Sequence, residues 1–470
     1  MIGVRDSPPR LFYDLTGLLH WYAYFRRPAG VQRVIEKIGA CPVVQAAAAA
    51  RRTSSDGRGD ASALGSGVVE FVVRLVGTDG FLGLDPALLP ALGQRRAGAV
   101  AEMRRLFAEG LRRSPWRGLA RDGRYYHVPY LALGLVRGRP MRLRPVAPPG
   151  PHDVYYNPGD LWWQPGYAAA ISALKHRTGL RILQVVHDFH VEERHDWSPH
   201  GFSKVFAREL RAVAPHVDHW LTASQAVKEE LAWRLVNWGQ PARPISQIPY
   251  GWDTFASAEA VDAVADRQVL GHHGLQGRPY MLFVGTIEPR KNVAGLLDAV
   301  ETLRGELGDR LPALVVVGGA GWRSAKVRRR LAAAARRGAV VWLQDLDDRT
   351  LAAVYRGARF TVMPSEGEGF GLAIQESLGH GVPCIATARA AMREAGRELA
   401  AYVAPGRPDE LKAAIARWSV DEAALEGARR RLRLWLDRGG LPTWNQAGAF
   451  VLATAFRGRV RRRADLRICA

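Results

Sequence analysis

FTVMPSEGEGFGLAIQE, residues 360–376, joins an apolar run, a glycine-rich turn and the start of a helical pattern. The three glycines of the turn allow close approach of the backbone to a ligand and expose its N–H groups. Glu368 in the turn and Glu376 in the helix can accept hydrogen bonds from neighbouring hydroxyl groups. Favourable placement near a helix N-terminus also explains Glu368, but it explains the glycine spacing poorly. The segment predicts a strand, a ligand-binding loop and a helix.

Similar apolar runs alternate with helical patterns along the whole chain, which predicts an α/β protein with two doubly wound parallel sheets. With 470 residues the chain is too long for one core. We predict a first domain at 1–255, a second at 256–440, and a terminal helix with a basic tail at 441–470 that packs back toward the first domain. The predicted strands cover residues 11–17, 68–76, 153–159, 181–189, 219–224 and 245–251, then 280–286, 313–319, 339–345, 360–366, 382–387 and 400–405. Ligands bind at the carboxyl ends of such strands, here in a cleft between the domains.

A second motif, GTIEPRKN at 285–292, lies between a predicted strand and a helix that Asn292 can cap. Arg290 and Lys291 come just before this helix N-terminus, where the partial positive charge disfavours cations. A bound anion would make the two cations favourable there. Phosphates bind the free backbone N–H groups of a helix N-terminus, and added cations complete such a site. The alternative is two exposed basic side chains in a loop.

The composition limits the other functional classes. The formal net charge is +21, carried mainly by arginine, with clusters at 104–117 and 457–463. Solvated helix faces, an anionic membrane surface and nucleic acid all remain explanations for these clusters. No apolar stretch reaches the ~18 residues of a membrane span, the first residues lack an apolar signal core, and the three cysteines are widely separated. We therefore expect a cytoplasmic protein, peripheral at most to the inner membrane face, without a cysteine-built zinc site.

Three further motifs complete the pattern: VVHD at 185–188, HWLTASQAVKEEL at 219–231 and IPYGWD at 248–253. Together with FVGTIEPRKN and MPSEGEGFGLAIQESLGHGVPCIAT they resemble the retaining glycosyltransferases of the GT-B fold, in particular the fourth sequence family with its bacterial mannosyl-, glucosyl- and rhamnosyltransferases. The match is dense over residues 215–405 and looser before them. Tyr250 departs from the pattern, since many members have asparagine there.

The resemblance implies two Rossmann-like domains that face each other across a cleft, the first binding the acceptor and the second a nucleotide sugar. It implies that Arg290 and Lys291 contact the donor pyrophosphate, that Glu368 binds the transferred sugar and that Glu376 binds the ribose. It also places His187 near the donor sugar, although a lone histidine at a strand end is often structural. The remaining implied donor-binding residues are Gly30, Phe370, Gly371, Leu372, Leu343, Gln344 and Asp345.

On this basis we expect a retaining hexosyltransferase without a metal or other cofactor, because cationic side chains take the place of Mg²⁺. The resemblance alone suggests GDP-mannose as donor and a lipid-linked saccharide as acceptor, in the synthesis of a bacterial surface polysaccharide. One alternative is a glucosyltransferase with a soluble acceptor, of the sucrose or glycogen type. The other is a basic Rossmann-like protein that binds nucleic acid and has no enzymatic activity, although nucleic acid is not the partner we expect.

Overall fold

The computed structural model describes residues 8–24, 27–28, 30–54, 67–74, 81–93, 144–159, 166–194, 196–197, 201–253 and 262–457. Their strands, numbered along the chain, are β1 Arg10–Asp14, β2 Val68–Arg74, β3 Phe81–Gly83, β4 Arg144–Pro145, β5 Val154–Asn157, β6 Arg181–Val186, β7 His219–Thr222, β8 Ile245–Gln247, β9 Tyr280–Val284, β10 Ala313–Val317, β11 Val340–Leu343, β12 Phe360–Met363, β13 Cys384–Thr387 and β14 Ala401–Val403.

The described helices are numbered in the same way. They are α1 Thr16–Tyr24, α2 Val31–Ala40, α3 Pro42–Ser54, α4 Leu88–Gly93, α5 Tyr167–Thr178, α6 His190–Glu193, α7 Phe202–Val213, α8 Gln225–Asn237, α9 Ala263–His272, α10 Val293–Leu307, α11 Ala325–Arg336, α12 Asp348–Arg356, α13 Leu372–Gly379, α14 Ala390–Gly396, α15 Pro408–Val420, α16 Glu422–Leu436 and α17 Trp444–Phe456. Among them, no helix combines the length and the apolar character needed to cross a membrane.

The strands form two sheets, as the sequence predicts. The first has the order β4-β3-β2-β1-β5-β6-β7-β8 and the second the order β11-β10-β9-β12-β13-β14. All pairs of the second sheet are parallel, and so are those of the first from β2 to β8. Nearly all residues of their central strands are buried, since helices cover both faces of a parallel sheet. The predicted domain boundary lies between the last residue of β8 and the first of β9.

The first sheet has an edge that the sequence analysis did not predict. β3 and β4 form this edge as antiparallel strands. Helix α3 continues to Ser54. The arginine cluster at 104–117 lies outside the described residues, and so does the basic tail beyond residue 457.

Helix α17 returns to the first domain and packs against α2 and α3. Thr443 begins it with a capping box, in which its hydroxyl accepts from the Gln446 N–H and the Gln446 side chain accepts from the Thr443 N–H. Arg181 at the start of β6 donates to the carbonyl of Ala455 at 3.0 Å. The last described helix therefore ties the end of the second domain to the first.

Candidate functional site

The candidate site lies where the loops after β9, β11 and β12 meet the first domain. The 3-10 turn Pro289–Lys291 follows β9 and leads into α10, and the Asn292 side chain accepts from the Gly295 N–H at 3.2 Å. The predicted cap is therefore confirmed. Asn292 itself has φ 51°, a left-handed conformation that asparagine tolerates better than most residues. This turn directs the two preceding basic side chains toward the glycine-rich loop.

Arg290 and Lys291 both bind Glu368. Arg290 Nη1 donates to Glu368 Oε2 at 2.8 Å and to the Gly367 carbonyl at 3.0 Å, while Lys291 Nζ donates to Glu368 Oε1. Arg290 Nε also lies 2.7 Å from Glu288 Oε1. The sequence-predicted pair of cations and the first glutamate thus form one compact cluster of two cations and two carboxylates.

The neighbouring charges determine the ionisation state of this cluster. Burial raises the pKa of Glu368, but Lys291 and Arg290 outweigh burial and hold that pKa well below its usual range. Burial lowers the pKa of Arg290, whereas Glu288 and Glu368 raise it more, so the net pKa is above the ordinary value. Glu368 is therefore ionised at neutral pH and acts as a hydrogen-bond acceptor rather than a proton donor.

The glycine-rich loop packs against the first domain. A Cβ on Gly369 would overlap the carbonyl oxygen of His187, and one on Gly367 would lie 2.9 Å from His190 Cε1. Ser224 donates from its hydroxyl to the Gly369 carbonyl at 2.7 Å. In this arrangement the two glycines allow close approach of the first domain, where the sequence suggested a ligand. Backbone approaches Gly369, and the side chains of His190 and Trp197 approach Gly367. Gly371, with φ 112°, needs glycine for its conformation.

Phe370, Gly371 and Leu372 lie at the start of α13, which begins at Leu372. The Phe370 ring is buried and packs edge-on against Tyr250 with 5.6 Å between ring centroids. Its side chain belongs to the hydrophobic core, which leaves the backbone groups of this turn for the predicted contact with the donor. The first N–H groups of a helix have no intrahelical partner and suit an anion.

Both ring nitrogens of His187 are hydrogen-bonded within the protein. Nε2 donates to the Pro158 carbonyl at 2.6 Å, and Nδ1 accepts from the Tyr250 hydroxyl at 2.8 Å, an assignment that follows from the carbonyl being an acceptor. Burial lowers the pKa of His187, which favours the neutral ring. The geometry therefore favours the structural interpretation of His187 and gives Tyr250 a role that the sequence left open. The Tyr250 carbonyl also accepts from Gln375 Nε2 at 2.5 Å, across the two domains.

Glu376 is buried in α13 and both of its carboxylate oxygens have partners. Oε1 lies 3.0 Å from Arg33 Nε, and Oε2 accepts from the Tyr355 hydroxyl at 3.1 Å. Tyr355 in turn stacks on His380 with 5.3 Å between ring centroids. The carboxylate predicted to bind the ribose is therefore held by an arginine of the first domain.

The predicted donor-binding residues Leu343, Gln344 and Asp345 lie at the end of β11 and in the loop before α12. The Leu343 carbonyl accepts from the Gly318 N–H at 3.0 Å, while Gln344 and Asp345 are exposed. Arg27 of the first domain donates to the Asp345 carbonyl. This loop thus borders the contact between the domains.

Gly30 begins α2 with φ 50° and ψ −114°, and a Cβ there would have no atom within 4 Å. Its conformation requires glycine, and the space around it is open. Beyond it, α2 carries Arg33 and Lys37, whose contacts the sequence analysis missed. Lys37 Nζ lies 2.7 Å from Asp348 Oδ2 in α12. The (i, i+4) spacing of the two cations was the available indication that they share one helix face.

His190 was also missed. It packs against Gly367, and its Nε2 is buried without a hydrogen-bond partner among the described residues. Burial lowers its pKa, but Asp188 and Glu193 raise it more, so the net pKa is above its usual value. Elsewhere in the described ranges, no group of three or more His, Cys, Asp or Glu side chains is placed to hold a metal ion.

Two facing Rossmann-like domains with the site between them define the GT-B architecture. A solved structure supports this fold: WaaG, "a glycosyltransferase involved in lipopolysaccharide biosynthesis", aligns over 96% of this chain and 100% of its own, with a TM-score of 0.54 and 14% identity. Residues 278–421 match the family model described as Glycosyl transferases group 1. The resemblance predicted from the sequence is confirmed, since this part of the chain is similar to the group 1 glycosyltransferases.

Two relatives extend the comparison. The serotype-specific mannosyltransferase WbdA of Escherichia coli is 30% identical over 274 residues, which are 57% of this chain and 32% of that protein. The chain thus spans about a third of the length of the first curated relatives that it matches. The D-inositol 3-phosphate glycosyltransferase of Jonesia denitrificans is 26% identical over 369 residues, covering 74% of this chain and 80% of that protein.

Proposed function

We propose that the protein transfers a hexose from a nucleoside diphosphate sugar to a saccharide acceptor with retention of the anomeric configuration. The observation that carries this proposal is the buried cluster of Arg290, Lys291 and Glu368 at the carboxyl ends of β9 and β12, facing the first domain. Two adjacent cations beside a helix start suit a diphosphate, and an ionised carboxylate suits sugar hydroxyl groups.

The chemistry follows from these charges. The bond between the anomeric carbon and the donor phosphate breaks, and the acceptor oxygen bonds to that carbon on the same face. The acceptor proton passes to the departing phosphate oxygen. Arg290 and Lys291 stabilise the charge that accumulates on the diphosphate, in place of a metal ion. Glu368 exchanges its two cations for a hydroxyl group of the hexose, and it has no role as a nucleophile.

The identity of the substrates rests on the names of the relatives. The WbdA name supports a mannose donor, and GDP-mannose is the first to test. Its serotype-specific description supports an acceptor in a bacterial surface polysaccharide, and a lipid-linked saccharide requires contact with the inner membrane face. A soluble acceptor is the second candidate, and the D-inositol 3-phosphate glycosyltransferase supports it.

The test is nucleotide release from a panel of nucleoside diphosphate sugars, with membrane lipid extract or with soluble sugars and sugar phosphates. Turnover only with lipid extract supports the lipid-linked acceptor, and turnover only with a soluble sugar supports the second candidate. Consumption of no donor under either condition contradicts the enzymatic proposal. Salt-sensitive binding of oligonucleotides in its place would favour the nucleic-acid alternative.

Lys291→Ala is the first variant to compare. Loss of a cation that acts on the developing charge lowers kcat by roughly 10²–10³. Lys326→Ala, which changes an exposed lysine of α11, is the matched control and retains the wild-type rate. An equal rate for both variants would remove Lys291 from the proposed site.

A further inference from the structure

Arg33 joins the first domain to two carboxylates of the second. Its Nε lies 3.0 Å from Glu376 Oε1 and its Nη1 lies 3.4 Å from Asp348 Oδ1. The side chain of Arg33 is 12% exposed, and each carboxylate is 7% exposed. One buried guanidinium group therefore occupies the carboxylate to which the resemblance assigns the donor ribose.

Glu376 and Asp348 each have a further partner besides Arg33. Tyr355 donates to Oε2, and Lys37, one turn beyond Arg33 on α2, binds Asp348 at 2.7 Å. A ribose that donates two hydroxyl hydrogen bonds to the Glu376 carboxylate competes directly with Arg33. Breaking a buried ion pair without replacing a partner is costly, so Arg33 needs another carboxylate when it leaves. Asp348 is already in contact with it.

The hydrogen bonding of Arg33 differs from that of a purely structural arginine. Arg10, at the amino end of β1, donates from Nε, Nη1 and Nη2 to Asp153 and to two backbone carbonyls. Arg33 Nε, by contrast, meets Glu376 without hydrogen-bond alignment, and Nη2 is buried with no hydrogen-bond partner in the described part of the chain. Buried donors without an acceptor require an explanation, and a second arrangement of the Arg33 side chain provides one.

We propose that Arg33 is a positioning residue that holds Glu376 when no nucleotide is bound and moves toward Asp348 when a ribonucleoside diphosphate binds. This inference rests on the proposed function, because it takes Glu376 as the ribose-binding carboxylate. Part of the free energy of nucleotide binding is then used to break a contact between the domains. By linkage, nucleotide binding and this contact weaken each other by the same factor.

The test is calorimetric titration with GDP and UDP and with their 2′-deoxy forms. Arg33→Met frees Glu376, so Kd for the ribonucleotides falls by about five- to tenfold, the lower range of typical couplings between sites. Asp348→Asn leaves Arg33 with Glu376 as its carboxylate partner, so Kd for the ribonucleotides rises. Both shifts shrink with the deoxy forms, since one hydroxyl group that Glu376 would accept is missing. Arg33→Lys retains the charge and lies closer to the wild type.

Arg10→Met is the control for a lost buried arginine, and it leaves Kd unchanged because its contacts lie at the amino end of β1. Weaker or unchanged ribonucleotide binding by Arg33→Met, or an equal gain with the deoxy forms, overturns the inference while the proposed function stands. If Arg33→Met does not fold, the opposite shift of Asp348→Asn decides, and unchanged affinity there refutes the inference. A folded wild type that binds neither ribonucleotide overturns both proposals. With an active donor, Arg33→Met lowers KM and does not raise kcat.

Discussion

The hydrogen bond between Tyr250 and His187 permits a quantitative test of the structural role assigned to this histidine. Tyr250 is 2% exposed, and its hydroxyl is the donor to His187 Nδ1 at 2.8 Å. Tyr250→Phe keeps the ring contacts with Phe370 and Trp444 but leaves a buried ring nitrogen without a partner. An unsatisfied buried acceptor costs about 1–3 kcal/mol. We expect that loss in the free energy of unfolding.

Equilibrium urea unfolding, followed by tryptophan fluorescence and circular dichroism, measures the effect. For m of about 2–3 kcal/mol/M, the midpoint falls by roughly 0.3–1.5 M. Tyr402→Phe is the control, because its hydroxyl donates to the Arg397 carbonyl at an exposed position where water replaces it. That control changes stability by less than about 0.5 kcal/mol. A loss no larger than the control's would refute the assigned pairing, and Nδ1 of His187 would then be open to a substrate.

Three further outcomes follow from the site. Gly369→Ala forces the loop away from the His187 carbonyl, so both stability and activity fall. Gly427→Ala on α16, where the added Cβ would lie 3.9 Å from the Arg431 side chain, leaves activity intact. Burial and then Arg356 lower the pKa of His380 to about 4. The stability that the neutral His380 ring contributes is fully present above its unfolded pKa of ~6.5 and is lost as pH falls toward 4, because the unfolded ring takes up a proton first. The stability of His380→Gln therefore depends less on pH over that range. EDTA leaves the initial rate of sugar transfer unchanged, and a rate restored only by Mg²⁺ would contradict the proposed role of Arg290 and Lys291.

The parallel strands were predictable because each is a short apolar run that ends in a glycine, proline or polar turn. The runs at 280–286 and 313–319 need no long-range information, since local composition already separates a buried strand from a helix. β3 and β4 were not predictable in the same way. They contain three residues and two residues, too few for a periodic pattern, and their pairing depends on the edge that β2 presents.

The same difference between local patterns and long-range contacts decides which residues of the candidate site were predictable. The resemblance placed Arg290, Lys291 and Glu368 around one donor, and they meet in the structure because β9 and β12 are neighbours in the second sheet. The contacts of Arg33 and Lys37 were missed because they depend on how two domains dock, which no local pattern encodes. The packing of Gly367 and Gly369 against the first domain was missed for the same reason, because their close neighbours belong to the other domain.

The net charge of +21 does not imply unpaired cations in the cleft, because the cations there are balanced by carboxylates. Arg290 and Lys291 are matched by Glu288 and Glu368, and the two cations of α2 are matched by Asp348 and Glu376. A diphosphate therefore does not enter a field of unpaired cations. It must exchange partners with carboxylates already present, and the sugar and ribose hydroxyl groups must take over those carboxylates. Affinity then depends on the whole nucleotide sugar, so inorganic diphosphate alone should bind far more weakly than a nucleoside diphosphate. Equal affinity for the two would contradict this exchange.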